Sequence, residues 1–343
     1  MERGLLYAIV VVLIVIAIGA AVYYYFATVP APGSEVIKVA LVLPGSKSDH
    51  GWSQSAFEGL MAAKKKYNIE VDYTEYVLPP EAGDVIRDYC EKGYKLIIVH
   101  DFLAKDAVLA AAADYPDIYF CYPTGMDLRT NVASYWSWNH ETSYLAGMLA
   151  AGLTNSSKVG VYAAVQIPTI VCCLESFKLG VKDMAEELGK NVTIYEAYTG
   201  TFEDVAKGYE AVETFASYGA DVVYGTGDGI NVGGIEAART HGIYFIGGCG
   251  DQHPLDPEIV IASCDWGGEE MICDVIGKFL NGTLQGNVKY EYTLGGGIGP
   301  HFAKYYEDIA PEELVQRIDE TEQAILNGTK TIPKYTEPGS VDP

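Results

Sequence analysis

The chain runs to 343 residues and carries 46 acidic against 23 basic side chains, a formal charge of −23. So acidic a surface repels a phosphate backbone and anionic lipid heads, which excludes nucleic acid as a partner and peripheral docking on a charged membrane. The length suffices for two domains, each with its own core.

The first element is an uncharged apolar run, Leu5–Phe26, preceded by Arg3 and followed by the linker "VPAPGSE". At about 1.5 Å per residue a helix of this run spans a hydrocarbon core of about 30 Å. A cleaved signal peptide competes with this reading, but the run is long for one and no small-x-small site closes it. No Cys follows it to take a bacterial-type lipid. The expectation is a retained N-terminal transmembrane helix, with residues 1–34 as anchor and linker and the binding domains extracytoplasmic. N-x-S/T triplets at Asn155, Asn191, Asn281 and Asn327 fit an exported chain.

Beyond the anchor, short apolar, β-branched runs alternate with amphipathic stretches. "VIKVALVLP", "KLIIVH", "DIYFCYP" and "NVASYWSW" read as strands, with helices such as Ser55–Tyr67 and Ala104–Ala113 between them. A second series follows: "SKVGVYAAV", "NVTIYEAY", "ADVVYGTG", "IYFIGG" and "EIVIASCDW". Runs apolar on both faces belong to strands sandwiched between helical layers. Strands alternating with helices imply right-handed βαβ units on parallel sheets. The fold class expected is therefore α/β, two doubly wound parallel-sheet domains around a cleft. The first domain takes 35–137 with about 267–285, the second 138–266 with about 286–330, and 331–343 forms a tail. A helix over Asp274–Leu280, a strand "VKYEYTL" and a helix near Pro311–Leu326 complete the chain.

Ligands of open parallel sheets collect outside the carboxyl ends of the strands. At those ends stand Asp49, His50 and Trp52, then His100, Asp101 and Phe102, then Trp136, Trp138 and Asn139. The second series contributes Asp228, then Cys249 and Asp251, then Asp265 and Trp266. All four tryptophans of the chain lie at such ends, whereas core tryptophans have no reason to gather there. An aromatic-walled cleft rimmed by acids and amides is a small-molecule site. Ser53 or Ser55, the latter with Glu58 as a capping box, is expected to cap the helix that begins here. An ordinary turn acid at Asp49 and a core anchor at Trp52 are the bland alternatives. The seven cysteines form no C-x-x-C pair, which excludes a zinc ribbon or a thioredoxin motif. Buried free thiols and partial pairing both remain open, and Cys249 and Cys264 are expected to be neighbours because they end successive strands.

The stretches "KVALVLPGSKSDHGWSQSAFEGL", "NHETSYLAGMLAAGLTNSSKVGVYA", "YTGTFEDVAKGYEAVETFASYGADVVYGTGDG" and "YFIGGCGDQ", in this order, resemble the basic membrane protein family of substrate-binding proteins, the purine or purine-nucleoside receptors of ABC importers. The resemblance implies a periplasmic-binding-protein type I fold closing over its ligand, and a base sandwiched between aromatics. Trp52 matches the first aromatic and Phe202 is a candidate second; Asp49 and Gln54 fall on polar positions of the first loop. Two departures concern the ribose. "GGCGDQ" puts Cys249 where nucleoside-binding members tend to have aspartate, and Asp265-Trp266 stands where they tend to have lysine. A free purine base is thus expected ahead of its nucleoside, with Asp251 or Asp265 as alternative partners for a diol. The ligand-binding set is Asp49, Trp52, Gln54, Asp101, Trp138, Asn139, Phe202, Asp228, Asp251 and Trp266, with no catalytic residue, metal or cofactor. An ABC permease and its ATPase are the implied partners.

Two other classes compete. A secreted hydrolase finds no G-x-S-x-G, H-E-x-x-H or Walker A lysine loop here, and "GTGDG" is weak evidence for a phosphate turn. His140-Glu141 and His100-Asp101 as metal ligands compete with ordinary satisfied histidines. A membrane-tethered receptor would use the same module and the same anchor to signal.

Overall fold

The structure, a computed structural model, describes Ile18 and residues 36–341. Apart from Ile18, the expected membrane helix lies outside these residues; among the described residues no helix is long and apolar enough to cross a membrane.

Two six-stranded sheets organise the molecule. The first holds β1 (Ile37–Val42), β2 (Ile69–Thr74), β3 (Leu96–Val99), β4 (Tyr119–Pro123), β5 (Val132–Trp138) and β11 (Lys289–Thr293), in the order β11-β5-β4-β3-β1-β2, all parallel. The second holds β6 (Lys158–Ala163), β7 (Thr193–Tyr198), β8 (Val222–Thr226), β9 (Tyr244–Gly248), β10 (Val260–Asp265) and β12 (His301–Lys304). Its order is β12-β10-β9-β8-β6-β7, and only the edge strand β12 runs antiparallel.

The pleat explains the all-apolar runs. In β1 and β3, Val39, Leu41, Leu96 and Ile98 pack on one helical layer, formed by α1 (Trp52–Lys66) and α8 (Gly268–Leu280). Their alternates Ala40, Val42, Ile97 and Val99 pack on the other, formed by α2 (Pro79–Glu91) and α3 (Lys105–Asp114). The second sheet is covered likewise by α4 (His140–Leu153), α5 (Pro168–Glu187) and α9 (Glu312–Leu326) on one face. Helices α6 (Val205–Ser217) and α7 (Gly229–His241) cover its other face. Between α4 and α5 the backbones touch: a Cβ on Gly147 would lie 2.1 Å from the Phe177 carbonyl oxygen, and one on Gly180 2.0 Å from that of Tyr144.

The sequence reading put 286–330 in the second domain, but β11 pairs with β5 along Lys289–Thr293 and so belongs to the first sheet. Only β12 and α9 join the second. The chain thus passes between the sheets after β5, after β10, and between β11 and β12. In the last two passages Gly267, at φ 69°, lies so close to Gly299 that a Cβ on it would sit 1.9 Å from the Gly299 oxygen.

In each sheet the strand order reverses once, at β1 between β2 and β3 and at β6 between β7 and β8. Loops leaving adjacent strands in opposite directions open a crevice at such a point.

Candidate functional site

The two crevices face each other and enclose a cleft of about 630 Å³. Its walls come from the loops after β1, β2, β3 and β5, from the start of α5, and from the loops after β7, β8, β9 and β10.

The start of α1 is the centre of the arrangement. Gly51, Ser53 and Gln54 donate their backbone N–H groups to the Asp49 carboxylate at 3.0, 2.8 and 3.0 Å. Trp52 donates its own to Oδ1 of Asp228, 3.0 Å away and from the other domain. Two carboxylates thus satisfy the orphan donors of one helix, where the helix dipole favours negative charge. This corrects the expected serine cap: Ser55 Oγ instead donates to the Gly51 carbonyl at 2.8 Å and accepts from Trp266 Nε1 at 2.7 Å. Gly51 is required for the approach, since a Cβ there would lie 2.1 Å from Asp228 Oδ1.

Trp52 is half-buried and lines the cleft. Its Nε1–H donates to the His100 carbonyl at 2.9 Å. Its ring stacks on His100 at 4.1 Å and on Trp266 at 4.5 Å, and those two rings lie 5.3 Å from each other. Rings on opposite faces of an indole would be separated by nearly the sum of the two stacking distances. Both neighbours therefore cover one face of Trp52, while Trp136 leans against it at 5.6 Å, tilted by 43°, and the two tryptophans border the cleft together. His100 is wholly buried. Its Nε2 lies 3.1 Å from the Trp52 carbonyl, which can only accept, so Nε2 carries the proton and Nδ1 accepts from the Tyr135 hydroxyl at 2.6 Å. Burial lowers the His100 pKa to about 3, against the weaker upward pull of the Trp52 carbonyl.

Of the residues expected from sequence, Asp49, Trp52, Asp101, Asn139, Phe202, Asp228 and Trp266 line this cleft together. Asp101 accepts from Leu103 N at 2.8 Å, and Asn139 reaches the Cys264 carbonyl at 3.3 Å. Phe202 stands on the wall supplied by the second domain. The other three expected residues lie elsewhere. Gln54 is two residues past Trp52, more than half a helical turn round, and pairs with His50 N at 3.1 Å and Glu58 at 3.0 Å. Trp138 lies edge-on to His140, beneath Lys334, whose Nζ is 4.4 Å from its ring. Asp251 follows Cys249 and Gly250, at φ 75° and 156°, and this turn sends it to the Tyr305 hydroxyl at 2.6 Å.

Cys249 itself lines the cleft. Cys264 is in register with Gly248, so the two cysteines are near neighbours as expected, and both thiols are free, like the other five. The sequence reading noted Trp136 at a strand end but left it out of the ligand-binding set, and did not select Tyr76, Ile170, Cys173, Glu203 or Thr226; all six also line the site. Reading past the ends of β2 and β6 would have found Tyr76, Ile170 and Cys173.

Electrostatically the cleft is one-sided. Burial, then Asp49 and Glu203, raise the Asp228 carboxyl well above the usual carboxylate range, opposed by the Trp52 N–H. Burial also raises Asp101 and, with Asp49, Glu203. No Lys or Arg is among the residues lining it. The cleft offers aromatic faces, carboxylate acceptors and the hydroxyls of Ser53 and Thr226.

A family model described as ABC transporter substrate-binding protein PnrA-like matches residues 36–336. The transcriptional activator protein med of Bacillus subtilis is 28% identical over 265 residues, 77% of this chain and 81% of that one. The ABC transporter nucleoside-binding protein BmpA of Lactococcus lactis is 26% identical over 322 residues, covering 87% and 89%. Among solved structures, an ABC transporter system solute-binding protein of Aeropyrum pernix K1 superposes with a TM-score of 0.76 at 20% identity, over 88% of this chain and 94% of that one. That last likeness bears on the fold alone.

Proposed function

The chain belongs to the PnrA-like family of ABC transporter substrate-binding proteins, and on that premise we propose that its cleft captures a flat nitrogen heterocycle, a purine base ahead of a purine nucleoside, and delivers it to an ABC permease and its ATPase. The family is one of solute-binding proteins, not enzymes. The run Leu5–Phe26 would hold the binding domains at the outer face of the membrane.

The observation that carries this reading is the Trp52 ring bordering the cleft, backed by His100 and Trp266 on one face and with Trp136 tilted beside it. A rigid aromatic platform suits a planar ring, and stacking contributes roughly 0.5–1.5 kcal/mol beyond burial. Asp49, Asn139 and Asp228 supply hydrogen-bonding groups around that platform. The preference for base over nucleoside rests on what would meet a sugar. Cys249 offers a weak donor and acceptor, and Trp266 is buried, with its Nε1 engaged by Ser55. Asp251 is held by Tyr305, and Asp265 accepts from Gly267 N at 2.8 Å. Each sugar hydroxyl buried without a partner costs about 1–3 kcal/mol.

Calorimetric titration of adenine, guanine, adenosine and guanosine tests the proposal. Bases are expected to bind tighter than their nucleosides; nucleosides tighter by tenfold or more would show a ribose site built from other residues. Sensing in place of delivery is the second reading, and the name of the Bacillus subtilis relative favours it. Co-purification with a permease and its ATPase separates the two.

A further inference from the structure

Within the cleft, polar groups of both domains converge on one seam. Asp49 and Ser53 come from the start of α1, and Thr226 and Asp228 from the end of β8 and the loop after it. Asp228 is 4% exposed, and Trp52 N is the partner of its Oδ1, with no partner for Oδ2 among the described residues. Ser53 and Thr226 are 1% and 3% exposed and line the cavity, yet neither hydroxyl has a hydrogen-bond partner among the described residues. Both hydroxyls open onto the cavity beside the two carboxylates, where a ligand can supply the partner the protein does not; Trp136 Nε1 and Thr169 Oγ1, of residues that also line it, are buried without a partner among the described residues.

The nearby basic side chains are committed elsewhere. Lys47 binds Tyr73 and Glu75, and Lys207 binds Glu210. His50, exposed at the rim, is the one nitrogen base that lines the cleft among the described residues. Glu203 and Asp101 add further negative charge to the walls, whose remaining surface is largely aromatic and apolar: Trp52, Trp136, Phe202, Ile170.

We propose that the ligand is a positively charged planar heterocycle, and that Asp49 and Asp228, one from each domain, bind its charge with the Ser53 and Thr226 hydroxyls beside them. This rests on the flat-heterocycle reading above and shifts its preference from neutral purines to rings that carry a fixed positive charge. A cation here relieves the repulsion between the two carboxylates and offsets the desolvation that raises Asp228. The aromatic walls add cation–π attraction to the same preference. Phosphorylated and carboxylated relatives of the same rings are repelled.

Probe pairs that differ by one N-methyl group and the positive charge it fixes test the proposal: 9-methyladenine against 1,9-dimethyladeninium, and nicotinamide against N1-methylnicotinamide, each titrated by calorimetry into the full chain. The cation of each pair is expected to bind at least tenfold tighter. Asp228→Asn keeps an acceptor for Trp52 N and should bring the cation-over-neutral ratio of each pair below threefold, whatever it does to the affinity of either ring alone. Glu203→Gln, at an exposed position, should reduce the preference without affecting folding, and keeps the test intact if Asp228→Asn does not fold. Neutral rings binding as tightly as their cations would overturn the charge assignment and leave the flat-ring reading standing. Failure of all four rings to bind would overturn both.

Discussion

Trp52 illustrates how a single side chain can serve the core and the site together. One of its faces and its N–H are used inside the first domain, on His100 and Trp266, while the ring also borders the cleft beside Trp136. Trp52→Ala should therefore weaken ligand binding about tenfold or more, the loss of a stacking partner and its burial, and should also lower the melting temperature. Trp52→Phe restores a face but not the N–H, so affinity should recover more than stability does, as calorimetry and thermal melts would show. His100 makes a separate prediction. Its pKa falls from 6.5 to about 3 in the fold, so its neutral form contributes stability that is full above pH 6.5 and is lost as pH falls toward 3. Denaturant unfolding across that range should show wild type losing stability relative to His100→Gln as the solution is acidified. Much of this site was legible in the sequence because the strand ends announce themselves: an apolar run stops and Asp49, Trp52, Asp101, Asn139 or Asp228 follows. What was not legible depends on side-chain direction. Gln54 and Asp251 lie in the right loops but are turned away, one by helical rotation and the other by two residues of positive φ.

The same rule governs what could be read of the elements. Strands buried on both faces, such as β3 with "LIIV", show as unbroken apolar runs and were found. The edge strand β2, "IEVDYT", has side chains half in water, carries no such run, and was passed over. The sheet that receives β11 could not be chosen from its sequence either, since "KYEYT" would suit the edge of either one; pairing with β5 decides it. Helix contacts were equally silent. Gly147 and Gly180 look like weak points in α4 and α5, yet they are where the two backbones meet. Gly180→Ala must push the Tyr144 carbonyl aside, and we expect a cost of about 3 kcal/mol, at the upper end for overpacking, measured by urea unfolding. The same substitution at Gly93, where φ is 82° but no atom lies within 4 Å, would meet strain without a clash.

For the molecule as a whole, three passages of chain connect two rigid sheets, and the cleft lies between them. Such a linkage moves by hinge bending, and the Trp52 N–H to Asp228 bond crosses the gap that would open. Small-angle scattering should give a smaller radius of gyration with saturating ligand than without it. Superimposable curves would count against capture by closure. The placement of the tryptophans has a further consequence for anyone handling the protein. Trp52, Trp136 and Trp266 line the cleft, and Trp138 lies one turn of the pleat beyond Trp136, near the first passage between the sheets. The chain has no others. Its tryptophan emission, excited beyond the absorption of the 26 tyrosines, therefore originates at the cleft and the passage beside it, so that emission serves as an internal, label-free gauge of occupancy, and a purified lysate fraction could be screened for the natural ligand by quenching alone.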